Sequence, residues 1–160
     1  MKEVKDFKER AMKMCSCREY CRKEVLDRLI KWGCTSSEAR DIVDYLVAHF
    51  FIDESRYAQA FVNDKLRIGK WGRKKIAYHL RLQNIDKEII ADMFSAIDEN
   101  EYLQMMIDVL QKKFKTMRLR ENIFETKANL YRFAASRGFE PEIANDLISD
   151  MVDSEMKKKC

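Results

Sequence analysis

The chain has 160 residues, with 31 Lys and Arg against 27 Asp and Glu and a formal net charge of +4. That length suffices for one domain or a short repeat array that buries its own core without covalent staples. One Pro and four Gly leave little to punctuate strands and tight turns, and the abundance of Leu, Lys, Glu, Arg and Met predicts an all-α protein.

The opening residues, MKEVKDFKER, mix both signs of charge and hold no apolar stretch of signal-peptide length. The longest apolar run, YLVAHFFI at 45–52, contains His49 and falls far short of the roughly 20 residues needed to cross a bilayer. The expectation is a soluble, cytosolic protein with no membrane partner. Five cysteines, an odd number, read as reduced thiols rather than a disulfide framework. Cys15, Cys17 and Cys21 form C-x-C-x3-C, with Cys34 further on. Only Cys17 and Cys21 share a helical face by spacing, so the group reads as small buried or partly buried thiols, not a metal site. Cys160 reads as a loose terminal thiol.

Helices follow in chain order. Val25 and Leu29 lead to Gly33, and Thr35 with Glu38 has the spacing of a capping box before a stripe of Ala39, Ile42, Val43 and Leu46. Asp53 can accept from the orphan amides of a helix whose stripe is Tyr57, Ala58, Phe61 and Val62. A helix over about 72–84 turns Ile76, Leu80 and partly Ala77 inward, leaving Lys74, Tyr78 and Arg81 as one outward stripe. Asp86 opens the next, with Ile89, Ile90, Met93, Phe94 and Ile97. Asp98 with Glu101 starts a longer one carrying Leu103, Met106, Ile107, Leu110 and Phe114. Pro141 suits a first helical position before Ile143, Ala144, Leu147, Ile148 and Met151.

Three segments align in order: Val25, Leu29, Gly33, Cys34, Val43; then Ile76, Leu80, Asn84, Ile85, Met93; then Leu130, Ala134, Gly138, Phe139, Leu147. In each, two apolar residues four apart close a helix, Gly or Asn occupies a left-handed cap, an apolar residue follows and a new helix begins. A spacing of about fifty residues holds three helices, too few to be stable alone. The predicted architecture is three tandem three-helix repeats, 1–52, 53–97 and 98–160, forming an elongated, curved array.

Between Asp64 and Asp86 no acid occurs, while Lys65, Arg67, Lys70, Arg73, Lys74, Lys75 and Arg81 all do. Arg73, Lys74 and Lys75 fall in a first helical turn, where cations oppose the backbone dipole by roughly 0.3–1 kcal/mol each. Lysine-rich faces are commonly solvated surface. Here Gly69 and Gly72 permit close backbone approach and the free amides of a helix start attract anions, which favours a binding surface for phosphate or carboxylate. Trp71, between the glycines, suits an interface anchor better than a stacking platform. A second acid-free stretch, VLQKKFKTMRLR at 109–120, adds Lys112, Lys113, Lys115, Arg118 and Arg120. Together they would form a track for a nucleic-acid backbone or for the acidic surface of a partner.

No P-loop, dinucleotide-type glycine pattern or nucleophile elbow is present, and His49 and His79 lack partners at ligand or catalytic spacing. Neither an enzyme nor a cofactor is expected. The stretch FIDESRYAQAFVNDKLRIGKWGRKKIAYHLRLQNI, residues 51–85, resembles the central segment of the RecX family through Asp53 and Glu54, the Tyr57, Ala58, Phe61, Val62 helix, the Gly69 to Gly72 turn and the Lys75, Ile76, Leu80 helix ending in Ile85. CRKEVLDRLIKWG at 21–33 and NLYRFAASRGFEPEIANDLI at 129–148 agree more loosely, and Asn84 stands where the family usually has glycine. The resemblance implies three tandem three-helix repeats. It also implies a non-enzymatic protein that lies in the groove of the RecA recombinase filament on single-stranded DNA and restrains ATP hydrolysis and strand exchange; nothing in the sequence demands a dimer, and a monomer is expected. A helical module that binds nucleic acid without a recombinase partner is the alternative.

Overall fold

The computed structural model describes residues 4–117 and 122–158. Among them are nine helices and no strand: α1 (Val4–Cys17), α2 (Arg22–Trp32), α3 (Ser36–Ala48), α4 (Glu54–Arg67), α5 (Arg73–Leu82), α6 (Lys87–Ser95), α7 (Glu99–Thr116), α8 (Ile123–Arg137) and α9 (Pro141–Lys158). The all-α repeat expectation is met.

Helix starts follow the capping chemistry of the sequence. At α3 the Thr35 hydroxyl accepts from the Glu38 amide at 3.2 Å while the Glu38 carboxylate accepts from the Thr35 amide at 3.2 Å, a complete capping box. Asp53 accepts from the amides of Ser55 (2.9 Å) and Arg56 (3.1 Å) at the head of α4. Asp98 accepts from the Glu101 amide (3.0 Å) at the head of α7. Each such cap contributes about 1 kcal/mol.

The three helix closures are the same structure repeated. Gly33, Asn84 and Gly138 all have positive φ, at 113°, 59° and 85°. Their amides donate to Ile30, Arg81 and Ala135, and the following amides of Cys34, Ile85 and Phe139 reach back to Leu29, Leu80 and Ala134, all at 2.9–3.1 Å. This is the paired bonding of a Schellman motif. The apolar residue after each cap is buried (Cys34, Ile85, Phe139), as is the residue it reaches back to. One local rule, an apolar–x3–apolar–x3–(Gly/Asn)–apolar run, therefore ends the second helix of each repeat and aims the third.

The chain divides into two compact units, residues 1–63 with 80–93, and residues 64–79 with 94–160. In the first, Phe7, Ala11, Val25, Leu29, Ala39, Ile42, Val43, Leu46 and Ile52 form a continuous core. Phe50 interrupts the exit from α3: it is 74% exposed and holds φ 61°, a left-handed conformation for a bulky residue. The Arg56 guanidinium donates to its carbonyl at 2.8 Å and pairs with Glu19 at 3.1 Å, which pins the turn. In the second unit Tyr102, Met106 and Leu110 of α7, Leu130 and Ala134 of α8, Phe139, and Ala144, Ile148 and Val152 of α9 make the core. Met106 is fully buried in it, as its place on an apolar stripe predicts.

Gly138→Ala is expected to destabilise the second unit by more than about 2 kcal/mol, since it adds left-handed strain to overpacking against the Lys75 backbone. Phe50→Gly is expected to gain a few tenths to about 1 kcal/mol by removing strain at little packing cost. Urea midpoints of the two variants should move in opposite directions.

Candidate functional site

The start of α5 does not have the free amides expected of it. The Gly72 amide donates to the Arg137 carbonyl at 2.6 Å, the Lys74 amide to the Gly138 carbonyl at 3.0 Å, and the Arg73 amide to the Tyr102 hydroxyl at 2.9 Å. Two of these three donors are taken by the carbonyls that end α8, positive end to negative end, and the third by a side chain of α7. A Cβ on Gly72 would overlap the Gly138 carbonyl and the Phe139 nitrogen, and a Cβ on Gly138 would overlap Lys75. Two glycines face each other because nothing larger fits between these backbones. The cations after Gly72 thus stand at the C-terminus of α8, where positive charge is favoured, and the dipole conflict read from the sequence is largely relieved by tertiary structure.

Arg73 departs furthest from its expected place on an open surface. Its Nε donates to Glu140 at 2.8 Å, Nη2 lies 2.6 Å from the same carboxylate, and Nη1 meets Glu99 at 2.5 Å. The guanidinium carbon sits 4.1 Å from the Tyr102 ring centroid, and the Tyr102 hydroxyl donates to the other Glu140 oxygen. With the side chain only 16% exposed, Arg73 is an internal counter-ion joining the α5 start to α7 and α9. Burial pulls its pKa down, but the bonds from Glu99 and Glu140 outweigh this and hold it above its ordinary value. Burial likewise raises Tyr102, reinforced by its bond to Glu140.

The remaining cations split into supported and open groups. Lys75 and Lys65 place their ammonium groups 4.3 and 4.8 Å from the Trp71 ring centroid, and Lys65 also lies 3.8 Å from Asp64. Trp71 contacts His79 at 4.9 Å, and His79 meets Tyr78 edge-on at 5.5 Å. Trp71 is thus the anchor that its position between glycines predicted. Tyr78 is 55% exposed. Lys74, Arg67 and Lys70 are exposed and have no carboxylate partner among the described residues. A shallow groove of roughly 380 Å³ runs beside them, lined by Lys74, Lys75, Tyr78, His79, Ser136 and Pro141 among others.

Lys112 and Lys115 are exposed on α7; Lys113 leans 5.3 Å over the Phe133 ring, and Lys115 lines a different groove, between α7 and α9. Arg118 and Arg120 lie outside the described residues, as does Cys160. Arg81 is exposed further along α5 and belongs to the other unit.

The cysteine spacing is also corrected. α1 ends at Cys17 and Cys21 is the N-cap of α2, so the two do not share a helix, and no group of metal-ligating residues assembles among the described residues. Cys21 is buried, donates weakly to Gln83 at 3.7 Å, and gives its amide to Glu24 at 3.1 Å. Burial pushes its thiol up to about 12. Sequence reasoning missed Tyr102, Glu99, Glu140 and Arg137, none of which carries a local signal linking it to the basic turn.

The fold and this surface define a helical-repeat protein with a basic, aromatic-bordered groove and, among the described residues, no helix long and apolar enough to cross a membrane. The chain matches the first three-helix domain of RecX over residues 8–46, the second over 53–93 and the third over 99–148. The regulatory protein RecX of Chromobacterium violaceum is 30% identical over 153 residues, covering 96% of this chain and 95% of that protein. That of Clostridium botulinum strain Eklund 17B is 30% identical over 135 residues, covering 84% of this chain but only 63% of the relative's length. The crystal structure of RecX from Lactobacillus salivarius superposes with a TM-score of 0.78 at 18% identity, over 92% of this chain and 95% of the other, which supports the fold alone. This chain belongs to the RecX family.

Tyr102→Phe should cost about 1–3 kcal/mol, because it leaves the Arg73 amide without its acceptor; urea unfolding reads this directly. The Cys21 thiol titrates higher folded than unfolded, so its contribution to stability is complete below its ordinary value of 9.0 and is lost as pH rises toward about 12. Urea midpoints taken from pH 8 to 11 should fall less steeply in Cys21→Ala than in the parent.

Proposed function

We propose that this protein is a non-enzymatic, monomeric regulator that binds the RecA recombinase filament on single-stranded DNA in the cytoplasm and inhibits its ATPase and strand exchange. The observation that carries this reading is the open face formed by Lys70, Lys74 and Tyr78 beside the α5 groove, in a chain of the RecX family. A filament on DNA offers two rows of negative charge, phosphates and surface carboxylates, and the open ammonium groups of Lys70 in the α4–α5 turn and Lys74 on α5 suit either. Inhibition requires that the ligand bind one state of the filament better than another.

In this reading the repeats are bounded at 1–52, 53–97 and 98–160, and the contact surface comprises Lys65, Arg67, Lys70, Lys74, Lys75 and Tyr78, extended by Arg81 and by Lys112, Lys113, Lys115, Arg118 and Arg120. Arg73 serves it from within, by holding the start of α5. A second reading, a module acting on nucleic acid alone, is favoured by one feature: Tyr78 is exposed beside Lys74, an arrangement on which an unpaired base can stack.

The discriminating measurement is DNA-dependent ATP hydrolysis by the recombinase at a salt concentration where this protein no longer binds naked DNA. Continued inhibition supports the filament reading; inhibition lost together with DNA binding supports the module. Combined substitution of Lys70, Lys74 and Tyr78 by Ala should leave unfolding unchanged, since all three are exposed, and should raise the concentration needed for half-inhibition about tenfold or more. Parental inhibition by that variant would remove this face from the interface.

A further inference from the structure

The turn between α4 and α5 carries a feature that a purely anionic ligand does not explain. Ile68 is 79% exposed, in the sequence Arg67, Ile68, Gly69, Lys70, with a cation on either side. Single exposed apolar residues are ordinary. This one is held in place. The amides of Ile68 and Gly69 both donate to the Asp64 carbonyl, at 2.9 and 3.2 Å, and the Trp71 amide donates to Lys65 at 2.9 Å. From α8, Arg137 then grips the turn from inside, donating to the Gly69 carbonyl and, at 2.9 Å, to the Lys70 carbonyl. Lys70 keeps φ 54°, a conformation in which glycine would be free of strain. A Cβ on Gly69 would stand 3.0 Å from the Lys65 carbonyl, so a larger residue there would press on the turn.

The geometry points to a protein-docking knuckle: Ile68 inserts into an apolar pocket on the partner while Arg67 and Lys70 meet carboxylates at the pocket's rim. The inference rests on the filament reading and sharpens it, because it assigns this turn to the protein component of the filament rather than to its DNA. A branched aliphatic side chain has no ring face to stack on a base and no donor for a phosphate, so along a nucleic-acid backbone Ile68 would remain in water. A pocket ringed by acids satisfies all three side chains together, with the fixed turn removing the ordering cost that a mobile loop would meet on binding. The Lys74, Tyr78 and His79 groove, with its exposed ring, remains suited to either component.

The test compares full-length parent, Ile68→Val, Ile68→Ala and Ile68→Glu on two probes: a fluorescent single-stranded oligonucleotide alone, and the same oligonucleotide coated with RecA and a non-hydrolysable ATP analogue. Ile68→Ala is expected to bind the coated strand about tenfold more weakly and Ile68→Glu more weakly still, with Ile68→Val near the parent. Ile68→Val and Ile68→Ala, which leave the charges of Arg67 and Lys70 unopposed, should bind the naked strand as the parent does, a readout that a misfolded variant would not preserve. Equal losses by Ile68→Ala on both probes, or none on either, overturn the knuckle while leaving the filament reading in place. Failure of the parent to prefer the coated strand overturns both. A parent that sediments as a dimer dissociated by Ile68→Glu overturns the knuckle in favour of self-association.

Discussion

The second unit depends on a meeting of two helix ends. The last carbonyls of α8 accept the first amides of α5, and Gly72 and Gly138 let the two backbones come close enough for those bonds to form. Each end supplies what the other lacks: the Gly72 and Lys74 amides find their acceptors in the Arg137 and Gly138 carbonyls. Arg73 then turns from this junction into a pocket of Glu99, Glu140 and Tyr102, tying it to the two neighbouring helices. The open lysines that follow are positioned because this junction is not free to move.

Much of the architecture could be read before any coordinates. The closures at Gly33, Asn84 and Gly138 were legible because a Schellman motif needs only residues within six positions of one another, and its demands on Gly or Asn and on the following apolar residue are visible as letters. The caps at Thr35, Asp53 and Asp98 and the opening proline of α9 were legible for the same reason. The buried stripes of α3 and α7 follow directly from period.

What could not be read is what depends on distance along the chain. Arg73 meets Glu140 across 67 residues and Glu99 across 26, with no local pattern to announce either pairing. The seven cations between Asp64 and Asp86 look alike in sequence, yet they divide into one internal counter-ion, two that lie over Trp71, and others that are open. The first-turn cluster of positive charge does mark this region, but the relief comes largely from the chain itself. The C-x-C-x3-C spacing failed differently: it assumed one helix where α1 stops and a cap intervenes.

The facing glycines also bear on how this surface can diverge. Each is constrained by main-chain atoms of the opposite segment, so no compensating change of side chain can make room for a larger residue at either position. Drift at the two sites is closed, singly and jointly. The exposed lysines a residue or two away carry no such restriction. Substitution there can therefore retune the charge the surface presents, adding or removing cations, while the platform underneath stays the same.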